Sequence, residues 1–390
     1  MTAKKSTSIV FTGDIGFDRY MGGKWTDKEF LAPEVMEFLH SGDHLVANVE
    51  GALIREEDAE DATGKGIFFH TMNPAASEFL KDIKADIWDF ANNHTMDAGK
   101  GGIVSGMEIA AKLGCRTVGA GRNIAEAAAP VYLDEAGGIG IIAVGFMPIC
   151  VRATETEAGV FGWDEMDRIA EAVKEVKKTC RWCVIVSHAG EEFTTLPAPY
   201  TRDRYRKYLE MGADIVVGHH PHVPMNYERV GDKIIFYSLG NFVFDTDYQR
   251  RQYNTDTGLL MKINFTEDAF TFEPFGTHIV RGPQKIEKGP IPAIFENIGE
   301  EDYNKLIRMA AKAFMYNERK RAAFLKHERA DFTPEQWEEY YNDFTDPYRV
   351  KGELLDLTIM SRLEKEADMA EFESCPMEGV RKYILRQIDS

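Results

Sequence analysis

The stretch Asp214-Ile-Val-Val-Gly-His-His-Pro-His222 joins a short β-branched run to three histidines within four positions. The β-branched run is typical of a buried strand, and imidazole is the commonest protein ligand of transition metals. His220 and His222 are two residues apart, so their rings point to the same side if the backbone is extended. His219 points the other way unless the neighbouring glycine and proline bend the chain, as both residues can. The pattern favours a metal-binding cluster at a strand end, and the alternative interpretation is a histidine-rich surface turn.

Other predicted strands also end in polar side chains. Short apolar runs at 8–12, 45–49, 87–91 and 182–187 are each followed by a carboxylate, an amide or an imidazole. Strand ends that share one edge of a sheet converge in space, and open α/β sheets bind their ligands there. The side chains that we expect to meet are Asp14, Glu50, Asn93, His94, His188, His219, His220 and His222. Their oxygen and nitrogen donors suit two divalent metal ions of Mn, Fe or Zn better than a calcium cage.

Strands and helices alternate over most of the chain. Helical spacing of apolar residues predicts helices at 74–84, 102–113, 164–178 and 200–211. Strands without intervening helices are predicted afterwards, at 223–228, 233–239, 259–265 and 277–280. Two further strands, at 131–133 and 139–144, are predicted to form a hairpin. This order predicts an α/β (α+β) fold in which a mixed sheet is covered by helices.

The chain has 390 residues, which is more than one hydrophobic core normally serves. Its character changes after about residue 282, where three prolines mark a connector. Charged residues, Ala and Leu follow, with aromatic residues at helical intervals. We therefore predict one domain at 1–282, which carries the site, and an α-helical C-terminal extension of roughly four helices at 283–390.

Charge and cysteine content argue against several classes of function. A formal net charge of −18 leaves no basic surplus for a nucleic-acid backbone, and no apolar run is long enough to span a membrane. Cys180 and Cys183 have redox or zinc spacing, but no second pair accompanies them, and packing in the core is the simpler interpretation. An odd number of cysteines and the lack of a signal-peptide core indicate a soluble, cytoplasmic protein.

Seven motifs occur along the chain in a fixed order. They are Gly13-Asp14, Asn48-Val-Glu50, Ala91-Asn-Asn-His-x-x-Asp97-x-Gly99, Gly119-Ala-Gly-Arg-Asn123, His188-x-Gly-x-Glu192, Gly218-His-His-Pro-His-Val223 and Tyr237-Ser-Leu-Gly-Asn-Phe-Val243. In these motifs the chain resembles CapA-type proteins, the poly-γ-glutamate capsule biosynthesis family, a branch of the calcineurin-like metallophosphoesterases. The resemblance covers about residues 7–265. It implies a four-layer αββα sandwich, in which helices flank two sheets, and a two-metal site.

The resemblance also implies a role for each site residue. Asp14 would bind one metal ion, Glu50 would bridge both ions, and Asn93 would bind the second ion. His94 would be the proton donor, and Asp97 would either orient His94 or cap the following turn. The residues that would complete the two metal shells are His188, His219, His220 and His222.

The chain departs from the family pattern at three positions. Gly16 stands where the wider superfamily has a histidine, so one metal ion would lack a ligand. Glu50 stands at the bridging position in place of aspartate, and Ala189 follows the strand-end histidine in place of the usual tryptophan. The membrane anchor that usually begins capsule members is not expected here.

The resulting hypothesis is a metal-dependent hydrolase with a metal-bridged hydroxide as nucleophile and His94 as acid. The superfamily suggests a phosphoester substrate, whereas the capsule connection suggests a γ-glutamyl amide in a small molecule, peptide or polymer. A phosphate pocket needs Arg or Lys, and the candidates near the strand ends are Arg19, Arg55 and Arg122.

Three further residues are candidates for substrate binding. They are Glu192, Asn241 and His70. Glu192 and His70 are equally compatible with structural groups whose hydrogen bonds are satisfied. A second hypothesis, of a different class, is a non-catalytic accessory protein whose helical extension docks a synthase partner.

Overall fold

A computed structural model of the protein describes residues 5–304 except 148 and 195, together with residues 306, 307, 333 and 381. Its strands are, in chain order, β1 (Ser6–Ile15), β2 (His44–Val49), β3 (Ala52–Leu53), β4 (Thr71–Met72), β5 (Ile87–Asp89), β6 (Arg116–Val118), β7 (Ala120–Gly121), β8 (Val131–Leu133), β9 (Ile139–Gly145), β10 (Gly159–Val160), β11 (Trp182–His188), β12 (Ile215–His219), β13 (Tyr227–Val230), β14 (Lys233–Phe236), β15 (Asn241–Val243), β16 (Thr257–Thr266), β17 (Phe270–Val280) and β18 (Lys285–Lys288). Its α-helices are α1 (Pro33–Leu39), α2 (Ser77–Asp82), α3 (Gly99–Lys112), α4 (Ile124–Ala127), α5 (Met166–Thr179) and α6 (Pro199–Met211). Short 3₁₀ helices are found at Arg19–Met21, Lys24–Thr26, Glu56–Asp58, Gly66–Phe68, Pro74–Ala76 and Gln249–Arg251.

Two mixed sheets form the centre of the described part of the chain. The larger has eight strands in the order β18-β17-β16-β1-β2-β5-β6, with β15 also paired to β1. The smaller has six strands in the order β13-β14-β12-β11-β9-β8. In the larger sheet β1, β2, β5 and β6 are parallel, and in the smaller sheet β9, β11, β12 and β14 are parallel. Each sheet therefore has one edge at which several carboxyl ends meet.

The smaller sheet is buried on both faces. Val184 on β11 belongs to the apolar cluster that also contains Phe11 of β1, so the two sheets pack face to face. Its neighbour Ile185 belongs to a second cluster, with Val173 of α5 and Tyr205 of α6. On the other side of the molecule α1 and α3 contact β18 and β6 of the larger sheet. Since successive strand residues point to opposite faces, an unbroken apolar run is what a strand covered on both sides requires.

The predicted fold class is confirmed: the protein is a mixed α/β sandwich with helices outside two sheets. The predicted hairpin is formed by β8 and β9, and β13 pairs with β14 in the same antiparallel manner. The helix predicted over 74–84 is shorter, because α2 ends at Asp82. Lys84 has a φ of +59°, a left-handed conformation that ends a helix.

The larger sheet continues past residue 282, where the sequence predicts the end of the first domain. Beyond that point β18 pairs with β17, because Ile286 adds a fully buried apolar side chain to the edge of the sheet. Further on, the hydroxyl group of Tyr303 donates a hydrogen bond to the carbonyl oxygen of Pro197 at 2.7 Å. Most of the predicted helical extension lies outside the described residues, so the division of the chain into two domains stays a prediction.

Candidate metal centre

Glu50 lies directly after β2, at the centre of the candidate site. Its side chain is 0% exposed, and neither carboxylate oxygen has a hydrogen-bond partner among the described residues. Its Oε1 atom lies 3.5 Å from Nε2 of His188, 3.8 Å from Nε2 of His222 and 3.9 Å from Nε2 of His94. A buried carboxylate without a hydrogen bond is costly, and a bound cation is one arrangement that removes the cost. The surroundings of Glu50 therefore fit a divalent metal ion.

Glu50 belongs to two overlapping groups of potential metal ligands. Asp14, Glu50 and His188 form one group, and Glu50, His220 and His222 form the other. Within each group the ligand atoms lie within 4.8 Å of one another, and all five side chains are buried. Carboxylate and imidazole donors in this mixture suit Mn, Fe or Zn. The residues fit two neighbouring ions that share Glu50, while the number and identity of the ions stay predictions.

Three imidazole rings of the site are each held by one nitrogen. Nδ1 of His222 donates to Oδ1 of Asn241 at 2.9 Å, and Nδ1 of His94 donates to Oδ2 of Asp97 at 2.7 Å. Nε2 of His219 donates to a carbonyl oxygen of β1 at 2.8 Å. In each ring the bonded nitrogen carries a proton. The second nitrogen is left for a metal ion or for a further proton.

The histidine turn after β12 is bent. The φ angle is +92° at His220 and +59° at His222, in a region that residues other than glycine rarely adopt. The backbone is therefore not extended here, although His220 and His222 both place a ring nitrogen within 4.8 Å of a carboxylate oxygen of Glu50. Just before the turn, Gly218 of β12 packs closely against the chain that follows β14, and an added Cβ there would be 2.1 Å from the carbonyl oxygen of Tyr237. Such backbone strain is typical of functional sites.

Asn48 is a site residue whose role the sequence analysis missed, although its motif contained it. Its buried Nδ2 donates to Oδ1 of Asp14 at 2.7 Å and lies 3.2 Å from Nδ1 of His188. Nε2 of His188 in turn lies 2.7 Å from Oδ1 of Asn93. Asn48 therefore orients one predicted ligand from each sheet, and it can do so because it is in register with Asp14 on the neighbouring strand.

Burial and mutual charge set the protonation of the cluster. Burial raises the pKa of Glu50 well above its ordinary value, and the charge of Asp14 adds to the rise. Burial lowers the pKa of His94 and that of His188 well below the ordinary value. Burial would also lower the pKa of His222, but the carboxylates of Glu50 and Asp14 outweigh it and raise that pKa to about 9. Without metal, a protonated His222 thus supplies positive charge that a divalent ion would replace.

Phe244 occupies the space beside Gly16. A Cβ atom on Gly16 would lie 2.8 Å from the ring of Phe244 and 3.0 Å from the carbonyl oxygen of Glu50. The histidine of the wider superfamily therefore has no room at this position. The ring of Phe244 instead packs against His222, with 4.8 Å between the ring centroids.

A cavity of about 510 Å³ opens beside the cluster. Three members of the predicted site form part of its wall, namely Asn93, His94 and His222. Its other lining residues include basic Arg19 and Lys65 and aromatic Phe68, Phe244 and Tyr248. Arg55 and Arg122, the other predicted phosphate-binding residues, do not line it, and Arg122 pairs with Glu126 at the surface. Lys65 was missed, because it lies in a loop that carries no strand-end signal.

Two of the three predicted substrate-binding residues, His70 and Glu192, line this cavity. His70 is held from behind by a hydrogen bond between its Nδ1 and Asp18. Asn241 is fully buried away from the cavity, and its Nδ2 donates to Gln249 and to a main-chain carbonyl. This geometry supports orientation of the nearby His222 ring by Asn241, in place of contact with substrate.

The fold and the cluster define a class of protein: an α/β sandwich with a candidate binuclear metal centre between the carboxyl edges of its two sheets. The chain belongs to the bacterial capsule synthesis protein PGA_cap family, whose family model matches residues 8–246. No helix in the described part of the chain is long and apolar enough to cross a membrane.

Two relatives belong to bacilli. The chain is 30% identical over 276 residues to the PGA biosynthesis protein CapA of Bacillus subtilis (strain 168), which covers 70% of this chain and 72% of that protein. It is 27% identical over 228 residues to the capsule biosynthesis protein CapA of Bacillus anthracis, which covers 57% of this chain and 55% of that protein. Among solved structures, a hypothetical protein of Thermus thermophilus is 12% identical with a TM-score of 0.42, over 69% of this chain and 98% of that chain. This likeness is too distant to bear on activity.

Proposed function

We propose that this protein is a hydrolase that uses two divalent metal ions to cleave a phosphoester. The observation that carries the proposal is Glu50, a buried carboxylate without a hydrogen bond from the described residues, shared by two groups of potential ligands. Bound there, divalent ions would lower the pKa of water and so supply a nucleophile at neutral pH. The carboxylates and imidazoles of this chain would hold the ions.

His94 is the proposed proton donor. Its Nδ1 is bonded to Asp97, which leaves Nε2 available, and its ring forms part of the cavity wall. An anionic substrate beside the ring would counter the effect of burial on its pKa and so favour the protonated form. The ring would then give the proton on Nε2 to the leaving group.

Arg19 in the cavity wall supports an anionic substrate. Arginine is a side chain that recognises phosphate in proteins. The aromatic rings of Phe68 and Tyr248, whose centroids lie 5.4 Å apart, offer an apolar surface for the group that the phosphate carries.

A second candidate is hydrolysis of a γ-glutamyl amide. It is favoured by the likeness to a protein named for PGA biosynthesis. The same water-activating chemistry can attack a carbonyl group. Arg19 in the cavity wall would then bind the carboxylate of the glutamyl unit.

Elemental analysis beside an activity panel tests the proposal. The purified protein is expected to hold two equivalents of Mn, Fe or Zn and to cleave p-nitrophenyl phosphoesters faster than γ-glutamyl p-nitroanilide. The double variant Glu50→Ala and His222→Ala is expected to lose both metal and turnover, whereas the exposed-histidine control His40→Ala keeps both. Faster cleavage of the anilide would select the second candidate.

No bound metal after incubation with excess Mn would overturn the hydrolase proposal and favour the accessory-protein hypothesis. The variant His94→Ala tests the acid directly. It is expected to lose turnover while its metal content stays that of the unaltered protein.

A further inference from the structure

Lys65 connects two parts of the candidate site that are adjacent in sequence. Its Nζ lies 2.6 Å from Oδ1 of Asp97 and also donates to the carbonyl oxygen of Asn93. The other oxygen of Asp97, Oδ2, accepts hydrogen bonds from Nδ1 of His94 at 2.7 Å and from the backbone N–H of His70 at 2.9 Å. One ammonium group therefore holds the predicted metal ligand Asn93 and the carboxylate that orients His94.

Hydrogen bonds hold the loop that carries Lys65 in one conformation. The side chain of Asp61 accepts hydrogen bonds from the backbone N–H groups of Thr63, Lys65 and Gly66, at 3.2, 3.1 and 2.8 Å. The backbone N–H of Ala62 donates to the carbonyl oxygen of Asp97 at 2.8 Å. The loop 61–66 is thus closed on itself and tied to the turn that bears His94.

Asp97 would lose its orientation without the lysine. Apart from Lys65, Oδ1 of Asp97 has only a marginal contact among the described residues, with the hydroxyl group of Thr63 at 3.5 Å. Asp97 is fully buried, so water cannot readily take the place of the ammonium group. Burial raises the pKa of Asp97, and the charge of Lys65 opposes that rise, which favours the ionised acceptor that His94 needs.

We propose that Lys65 is a positioning residue: by holding Asp97 and the Asn93 backbone, it fixes the His94 imidazole against the cavity. The proposal rests on the proposed function, in which His94 transfers the proton. In this role the loop 61–66 holds the ammonium group of Lys65 beside Asp97, the carboxylate that binds His94.

Lys65→Met and Lys65→Arg, compared with Lys100→Met, test this role. Lys100 is an exposed lysine at the start of α3, a few residues beyond Asp97. Lys65→Met is expected to lower kcat about 10- to 100-fold, as loss of an outer supporting group typically does. KM is expected to change less than about twofold, because the lysine acts on the acid and not on substrate binding. Lys65→Arg keeps the charge and is expected to regain most of kcat.

A spectroscopic measurement keeps the test independent of turnover. In protein labelled with ¹⁵N-histidine, the Nδ1–H of His94 is expected to give a low-field proton resonance, assigned by its loss in His94→Asn. That resonance should broaden or vanish in Lys65→Met and persist in Lys65→Arg and Lys100→Met. Should Lys65→Met fail to fold, Lys65→Gln, which keeps a neutral donor, takes its place.

The outcomes separate the two proposals. An unchanged His94 resonance, or a kcat equal to that of Lys100→Met, would overturn the role of Lys65 and leave the hydrolase proposal standing. A change in KM alone, with kcat unchanged, would overturn it as well. If the metal-loaded protein cleaves none of the substrates, the hydrolase proposal fails, and the resonance in Lys65→Met still decides whether the lysine positions His94.

Discussion

Nδ1 of His94 lies 2.7 Å from Oδ2 of Asp97, both side chains are buried, and His94 lines the cavity. The sequence left open whether Asp97 orients His94 or caps the following turn. The geometry favours orientation, because α3 begins after Ala98 without a side-chain cap. A carboxylate on one imidazole nitrogen fixes the tautomer and aims the other nitrogen.

Asp97→Asn is expected to lower kcat about 100-fold or more, which is the contribution typical of a positioned acid. The amide cannot supply the negative charge that stabilises a protonated His94, and it also loses the ion pair with Lys65. Metal content should not change, because Asp97 belongs to neither ligand group. Steady-state kinetics and elemental analysis of the same preparation check both expectations.

The matched control is Glu108→Gln, which removes an exposed carboxylate from α3, the helix that follows Asp97. It should behave as the unaltered protein. A kcat of Asp97→Asn equal to that of the control would contradict the orientation of His94 by Asp97.

Glu50→Gln is expected to stabilise the metal-free protein at neutral pH. Burial raises the pKa of Glu50 above its unfolded value of 4.5, so the folded state opposes loss of its proton. The penalty is absent well below pH 4.5 and grows as pH rises toward the folded pKa. The neutral amide avoids it, and Asp14 remains as the carboxylate beside His222, so we expect a gain of about 1 kcal/mol or more in the free energy of unfolding.

Urea denaturation after treatment with a chelator measures the effect of Glu50→Gln. The gain should be larger at pH 8 than at pH 5. Added Mn should then raise the melting temperature of the unaltered protein and not that of the variant. If the metal-free variant is less stable than the metal-free unaltered protein, then the surroundings of the Glu50 carboxylate stabilise its charge and the prediction is wrong. Glu210→Gln, at an exposed position of α6, is the control.

Metal binding is expected to release protons. The pKa of His222 is raised to about 9 by Glu50 and Asp14, against the effect of burial, so its ring carries a proton at pH 7. A metal ion can bind Nε2 only after that proton leaves. The apparent affinity for Mn should therefore rise between pH 6 and pH 9, by about tenfold per pH unit for each proton displaced.

Isothermal titration of Mn at pH 7, in two buffers with different ionisation enthalpies, counts the protons released. His222→Gln should release fewer protons than the unaltered protein, and the exposed variant His40→Gln the same number. A pH-independent affinity with no proton release would rule out His222 as a ligand that titrates with the metal.

Gly16→Ala is expected to destabilise the fold by about 1 to 3 kcal/mol, the usual cost of overpacking. The added methyl group would meet the ring of Phe244 at 2.8 Å. The double variant Gly16→Ala with Phe244→Leu should regain much of the loss, because the smaller side chain makes room. Thermal or urea denaturation measures both.

Gly101→Ala is a control for Gly16→Ala, because its effect on the stability of the fold is expected to have the opposite sign. Gly101 lies within α3, and an added Cβ there meets no atom within 4 Å. Alanine should stabilise the helix by up to about 1 kcal/mol. Equal stability of Gly16→Ala and the unaltered protein would mean that Phe244 moves freely, and that a histidine at position 16 has room after all.

Much of the fold followed from local patterns. The runs that became β2, β5 and β11 are apolar and short, and their polar ends predicted an edge where ligands meet. Local patterns could not give the length of β1 or the place of β18, because pairing with distant strands decides both. Nor could they give the bend at His220, where φ is +92°.

The sequence by itself determined which chemistry is present: carboxylates, an amide and imidazoles stand after apolar runs, in motifs shared with one family. Only the tertiary structure decided how these groups act on one another. Strand register places Asn48 beside Asp14, and Asn241 accepts a hydrogen bond from His222. Lys65, which lies in a loop, pairs with Asp97. These relationships join residues that are 19 to 34 positions apart. Hydrogen bonds and ion pairs depend on distances of a few ångströms, which no spacing along the chain specifies.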